Sequence, residues 1–315
     1  MLSGASGFTG RIGLADIAYR RIRRPKMTLV KDLLDEGAAR LKRSPAIDHW
    51  PAGRDRWEAE SLLAFVLGAE NSFELPSGRA VPGPAVRRYR RLVRRRAGGE
   101  PMAHILGWTE FRGLRIAVRP GAFVPRQSTE FLAKQAIRRL RGRRRPVAVD
   151  LATGIGPVAL AMADAVPRAD VHGTDLSAEA VRQARANAKA LRLKNATFHR
   201  GDLFDSLPRR LRALVDVITL HPPYVPSGEV GDLPLEIRGF EPEHTLTDYS
   251  PHGLGLVERA TIEGPDWLRP GGWLLVEVSP DRARMVRGLL LRSGYRDVRS
   301  SKGWPGVTRT IAGRA

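Results

Sequence analysis

The sequence predicts an α/β protein: a doubly wound parallel sheet that follows an N-terminal helical bundle and a linking β-hairpin. Three observations predict it. After Ser128, short β-branched and apolar runs alternate with segments of helical period, in the order "PVAVDLA", "PVALAMADAV", "ADVHGTD" and "AEAVRQARANAKALRL". That alternation marks strands joined by crossover helices. Before about Gly99 only helical spacing is present, and the stretch between the two is punctuated by Gly107, Gly113 and Gly121, which suits a hairpin.

Residues 1–26 are glycine-rich and then basic ("RRIRRPK"), without a core pattern. A mis-called start or a disordered arm is expected there, with a transit peptide as the lesser alternative because acidic residues are scarce. From Met27 to Gly99 a helical domain is expected. Leu29, Leu33 and Leu34 recur at helical spacing, and "RWEAESLLAFVLG" sets Ala59, Leu62, Leu63 and Val66 on one face before Gly68, a suitable C′ residue. Residues 100–126 form the linker, with Trp108, Phe111, Ile116 and Val118 in its apolar stretches.

The α/β domain occupies 127–315. Ser128 is expected to cap "TEFLAKQAIRRLR", and Ser177 to cap the helix after "ADVHGTD". Further strands are "NATFHRGD", "VDVITL" and "GWLLVEV", with a helix around 254–268 before the last of these. "DRARMVRGLLLRSG" closes a helix on Gly294, and short strands near 295–299 and 307–312 end the chain.

Composition bounds the partners. The 315 residues include no cysteine, so disulfide and thiolate chemistry are excluded. No apolar run reaches the roughly 18 residues of a membrane span, and the chain reads as cytoplasmic. Lys+Arg is 53 against 33 Asp+Glu, a net charge of +20. That balance favours RNA, ribosomes or DNA as partners, and arginine-rich coding explains it equally well. "VRRYRRLVRRR" and "RRLRGRRR" concentrate the charge, with a solvated helix face as the default for each.

"VAVDLATGIGPVALA" reads as strand, small-residue turn and helix. Gly154 and Gly156 permit a tight bend, and Pro157 suits the first helical position, whose free N–H groups can face a ligand. Asp175 ends the next strand, where a carboxylate can accept from both ribose hydroxyls; Asp202 ends a third and could meet an adenine amino group. "GIGPVA" also matches a dinucleotide fingerprint, so NAD and S-adenosyl-L-methionine both remain open on this stretch alone. The turn "HPPY", His221 to Tyr224, separates them. Two prolines stop a ladder rigidly, and fixed carbonyls beside an aromatic face suit a planar NH₂ group awaiting methyl transfer. No hydride-transfer constellation accompanies it.

"HPPYVPSGEVGDLPLEIRGFEPEHTL" resembles the Asn-Pro-Pro-Tyr segment, with its Leu-Pro, Glu-x-Arg and Phe-Glu-Pro, of the peptide-chain release factor glutamine methyltransferases, the HemK-like family. "PMAHILGWTEFRGL", "VPRQSTE", "EAESLLAFVLG" and "LRPGGWLLVEV" are similar to that family's linker, its Pro-Arg-x-x-Thr-Glu stretch, its helical domain and a late core strand. The resemblance runs from about Met27 to the C-terminus. It implies a Rossmann-like, seven-stranded methyltransferase sheet ending in an antiparallel hairpin, and a helical domain that recognises substrate. It implies S-adenosyl-L-methionine along Asp150, Ala152, Thr153, Gly154, Ile155 and Gly156, with Asp175 and Leu176 at its ribose and Asp202 and Leu203 at its adenine. It implies as substrate the glutamine of a release factor Gly-Gly-Gln loop, held by the side chain of residue 221 and the carbonyl of Pro222. Pro223 completes the turn, and Tyr224 packs on the amide plane. No metal is expected.

Two positions depart from the family. Ala152 stands for glycine, and His221 stands for asparagine. A neutral imidazole accepts one hydrogen bond where an amide oxygen accepts two. His221 therefore holds the substrate in one tautomer, serves another substrate, or marks lost activity. A nucleic-acid amino-methyltransferase and a non-catalytic RNA- or ribosome-binding relative are the alternatives. His104, His199 and His252 read as ordinary surface or turn residues, and Trp267 and Trp304 as packing. Glu277 reads as a core-edge carboxylate near the site or a structural partner. Arg126 and Glu130 either border the cofactor pocket or form an ion pair at a helix start.

Overall fold

The computed structural model describes residues 27–71, 74–303 and 306–315. The expectations for residues 1–26 and for Trp304 lie outside them. Three helices open the described chain: α1 (Val30–Lys42), α2 (Arg54–Leu67) and α3 (Gly83–Ala97). Leu33, Leu34, Leu62, Leu63, Tyr89 and Val93 close their common core. Gly68 ends α2 in the left-handed region at φ 69°, and its missing Cβ makes that conformation cheap.

The linker differs from a plain hairpin. A short helix, α4 (Met102–Leu106), comes first, turned by Gly107 at φ 80°. Strands β1 (Trp108–Phe111) and β2 (Leu114–Ala117) then pair antiparallel. Two side-chain amides of the later helix α7 (Ala178–Ala190) fasten the strand that leaves the hairpin. Asn187 exchanges hydrogen bonds with Ala117 N–H and C=O at 3.0 and 3.1 Å, and Gln183 accepts from Arg119 N–H at 3.0 Å. These amides stand in for a neighbouring strand.

Helix α5 (Thr129–Leu140) leads into β3 (Val147–Leu151), α6 (Pro157–Ala165) and β4 (Asp170–Asp175). After α7 come β5 (Ala196–Arg200), β6 (Val215–Leu220), the single turn α8 (Leu235–Arg238) and α9 (Gly255–Glu263). The chain ends with β7 (Leu268–Glu277), α10 (Ala283–Arg292), β8 (Arg296–Lys302) and β9 (Thr308–Arg314). The seven strands lie in the order β5-β4-β3-β6-β7-β9-β8, parallel except for β9, which runs antiparallel to both neighbours. Side-chain alternation divides the core. Ala148 and Val217 face α5, α6 and α7, while Val149, Leu151 and Ile218 face α9 and α10.

Two boundaries moved. The helix expected around 254–268 stops at Glu263, and β7 begins at Leu268, five residues before Trp273. Pro270 is tolerated there because the β6–β7 register shifts between Val215 and Val217, and a bulge needs no ladder N–H at that point. Ser128 stands at the N-cap position of α5 but makes no cap; its hydroxyl donates to Glu277 Oε1 at 3.1 Å. Ser177 does cap α7, accepting from Ala180 N–H at 3.2 Å.

Candidate active site

Chain order reverses between β3 and β6. In an open α/β sheet the crevice beyond the carboxyl ends of such strands is the natural ligand site. A cavity of about 380 Å³ lies there.

One wall is the turn after β3. Ala152 adopts φ +50° and Gly154 φ +57°. Thr153 N–H carries the ladder on to Thr174 C=O at 2.9 Å, and Pro157 starts α6. Asp150 is buried beneath this turn. Its carboxylate accepts from Thr153 Oγ1 at 2.6 Å and Thr219 Oγ1 at 2.7 Å. Burial pushes its pKa up to about 6, against the opposing hydrogen bonds from Thr153, Thr219 and Ala159 N–H. Asp175 sits opposite. One of its oxygens accepts Gly154 N–H and the other Ser177 N–H, each at 2.8 Å. Burial raises its pKa, and the two backbone donors oppose that rise. Each oxygen keeps acceptor capacity toward the cavity that Asp175 lines.

Asp202 lies two residues beyond the end of β5, in the turn rather than on the strand. Its Oδ2 accepts from Arg259 Nη1 at 2.8 Å. Leu203 follows at φ +43°, and Leu176 forms an exposed rim.

β6 is buried along its whole length, and it delivers His221 to the far end of the same cavity. His221 Nδ1 lies 3.4 Å from Thr129 Oγ1. The ring meets Phe123 edge-on at 5.4 Å between centroids and tilts against Tyr224 at 5.8 Å. Tyr224 pairs with Thr247 as an isolated bridge, and burial raises its hydroxyl pKa. Gly253 makes room for this turn: at φ +63°, a Cβ there would fall 2.2 Å from the Tyr224 carbonyl oxygen. The guanidinium of Arg126 lies 4.4 Å over the Phe123 ring and donates to Glu241 Oε1 at 2.6 Å.

Residues 32–107 match a family model described as the PrmC N-terminal domain, and residues 145–251 one described as a methyltransferase domain. The release factor glutamine methyltransferase of Bordetella pertussis is 36% identical over 289 residues, spanning 91% of this chain and 99% of that protein. The chain belongs to the release factor glutamine methyltransferase family. The Geobacter sulfurreducens member is 33% identical over 264 residues, 82% of this chain and 89% of its own. Among solved structures, the release-factor-specific protein-(glutamine-N5) methyltransferase of Alicyclobacillus acidocaldarius is 26% identical. It covers 61% of this chain and 93% of its own, with a TM-score of 0.37, an overlap too small to bear on the fold.

As a member of this family, the chain brings nearly all of the expected positions to one cavity. Asp150, Ala152, Thr153, Gly154, Ile155, Asp175, Leu176, Asp202, Leu203, His221, Pro222, Pro223 and Tyr224 line it. Gly156 does not. At φ +89°, a Cβ there would fall 3.0 Å from the Phe198 ring, so it packs closely against β5. Arg126 borders the cavity, but its ion partner is Glu241 rather than Glu130, which accepts from Arg112 N–H. Thr129, Phe123 and Arg259 also line the cavity; no local pattern marks them, since tertiary approach alone brings them there. His199 is half-buried on the edge strand β5, with Nε2 3.0 Å from His172 Nδ1. His104 is half-buried on α4, and burial lowers its pKa.

Proposed function

We propose that this protein is an S-adenosyl-L-methionine-dependent methyltransferase that acts on the glutamine side-chain amide of a peptide-chain release factor, in the cytoplasm. Its family membership and one geometric observation support this: a single cavity joins the Asp175 end to the His221–Tyr224 end. The residues present suit the cofactor. Asp175, oriented by two backbone N–H groups, offers its remaining lone pairs to a ribose diol. The space beside Gly154 is open, with nothing within 4 Å of a Cβ built there, so a ligand can approach that backbone closely.

Bound there, the cofactor would supply an electrophilic methyl carbon on a leaving group that is already cationic. The protein's task is then positioning and electrostatics. An amide nitrogen is a weak nucleophile because its lone pair is delocalised into its carbonyl. The Pro222 carbonyl and His221 Nε2 can each accept one N–H of the substrate, turning the nitrogen toward the donor. Nε2 is the ring nitrogen left for this task, since Nδ1 faces Thr129. Only the neutral ring can accept. Phe123 and Tyr224 hold the ring from two sides.

The test is methyl transfer from labelled donor to a release factor, beside the same factor with its loop glutamine replaced. Transfer to the first alone is expected. No transfer and no donor binding by calorimetry would end the proposal. Contact with ribosomal RNA is a second reading, favoured by the outer face of α3, where Arg87, Arg88, Arg91 and Arg94 are exposed. RNA affinity that falls steeply as salt rises would support it.

A further inference from the structure

Between Tyr224 and Thr247 the chain leaves the cavity and comes back to it. Val225 N–H donates to Leu246 C=O at 2.9 Å beside the Tyr224–Thr247 bridge, so the excursion is closed at its base. Leu233, Ile237 and Leu246 of this strap line the cavity. Its middle lies on the helical bundle. Glu236 N–H donates to Ala46 C=O at 3.1 Å, and Phe240 packs on Gly99, where a Cβ would fall 3.2 Å from its ring.

The bundle presents an unbalanced charge to this strap. Arg96 is completely buried and holds Glu58 through Nε at 2.7 Å and Nη2 at 3.1 Å. Arg54 Nε donates to the same Glu58 at 2.9 Å. Two guanidinium groups thus share one buried carboxylate. Asp48 reaches Arg54 only at 4.0 Å and is half exposed. Withdrawing an uncompensated charge from water is costly. Glu236 supplies the missing charge: its carboxylate accepts from Arg96 Nη2 at 2.5 Å, from Arg54 Nη2 at 2.9 Å and from Asp48 N–H at 2.9 Å. The other limb of the strap carries Glu241, which holds Arg126 over Phe123, the ring set edge-on to His221.

We propose that Glu236 is a positioning residue for methyl transfer: it completes the buried charge cluster of the helical bundle and so clasps the strap 225–246 against the cavity, letting the bundle set where the acceptor amide lies. This rests on the methyltransferase reading above. The clasp joins residues 140 positions apart in sequence, Arg96 and Glu236, and acts on the reacting groups only through the strap.

The test is full-length Glu236→Gln, in which Arg54, Glu58 and Arg96 keep their mutual pairs. Hydrogen exchange of strap amides between Ser227 and Leu246 should quicken about tenfold or more, and by more than any change in the amides of α1, α2 and α3. Affinity for S-adenosylhomocysteine should stay within about twofold, and kcat on a release factor should fall about 10- to 100-fold, the scale of a misplacement of about 1 Å. Glu236→Asp, which keeps the charge with a shorter reach, should recover part of kcat. Equal loosening of the bundle, an unchanged kcat on a loosened strap, or an Asp variant no better than Gln would each overturn the proposal. If the wild-type protein methylates no release factor, the functional reading fails instead. The exchange arm then decides the clasp: faster exchange confined to the strap keeps it, and unchanged exchange removes it.

Discussion

Asp150→Asn tests the electrostatics at the base of the cavity. Burial lifts the Asp150 pKa from 3.8 to about 6. A raised carboxyl pKa means that the folded protein holds the proton more tightly than the unfolded chain does. Its stabilising contribution is therefore complete below about pH 4 and is lost as pH rises through about 6, after which it is level. At about 1.4 kcal/mol per pH unit, the full loss is about 3 kcal/mol. About 1 kcal/mol of it is already gone at pH 4.5, so about 2 kcal/mol separates pH 4.5 from pH 7.5. Asparagine keeps the shape and cannot ionise. Its oxygen can take the Ala159 N–H, and the Thr153 and Thr219 hydroxyls can turn to accept its NH₂. Urea unfolding of both proteins, followed by circular dichroism at the two pH values, measures the difference. The stability of the variant relative to wild type should improve by about 2 kcal/mol on going from pH 4.5 to 7.5. A gap that is the same at both pH values would refute a buried, reluctant acid at this position.

Asp175→Ala should cost at least about tenfold in S-adenosylhomocysteine affinity by calorimetry, since it removes the ribose acceptor and frees two N–H groups; unchanged affinity would exclude the assigned role. Ala152→Gly should leave stability within about 1 kcal/mol in thermal unfolding, because relief of a left-handed alanine offsets the entropy of glycine in the unfolded chain. Gly156→Ala should destabilise by about 1–3 kcal/mol, since the new methyl meets Phe198 at φ +89°, and a neutral result would show that the ring can yield. His221→Asn should stay active on a release factor glutamine, because an amide oxygen can take the acceptor role that Nε2 has in wild type; methyl-transfer rates of the two proteins check this, and abolition would refute that role.

The features legible in the sequence were those made by neighbours in the chain. The turn from Asp150 to Pro157 declares itself because strand, glycines and proline are contiguous, and Ser177 caps α7 three residues ahead of its donor. The hairpin followed from Gly107 and Gly113, but α4 did not, because its five residues carry too little periodicity to stand out. Ser128 misled for the same local reason: a serine before a helix reads as a cap, yet Glu277, 149 residues away, takes its hydroxyl. The approach of His199 to His172 was hidden because that partner lies on the adjoining strand, and the Phe198 ring against Gly156 was hidden because a glycine in a turn cannot announce what it packs against.

The same division between near and distant partners separates the two ends of the cavity. The Asp175 end, where the donor is proposed to bind, is fixed by backbone donors from two adjacent turns, Gly154 and Ser177, converging on Asp175. Its geometry is independent of which side chain stands at 221. The His221 end is assembled from side chains on separate segments: Thr129 from α5, Phe123 from the linker, and Tyr224 with the strap behind it. A larger ring at 221 is met there by two aromatic neighbours and one hydroxyl, with no demand on β3, β4 or the turn after β3. A change of side chain at 221 is therefore expected to alter what this corner can hold and to leave donor binding unchanged. Donor affinity equal in His221→Asn and wild type, beside a changed KM for the methyl acceptor, is the pattern this separation requires.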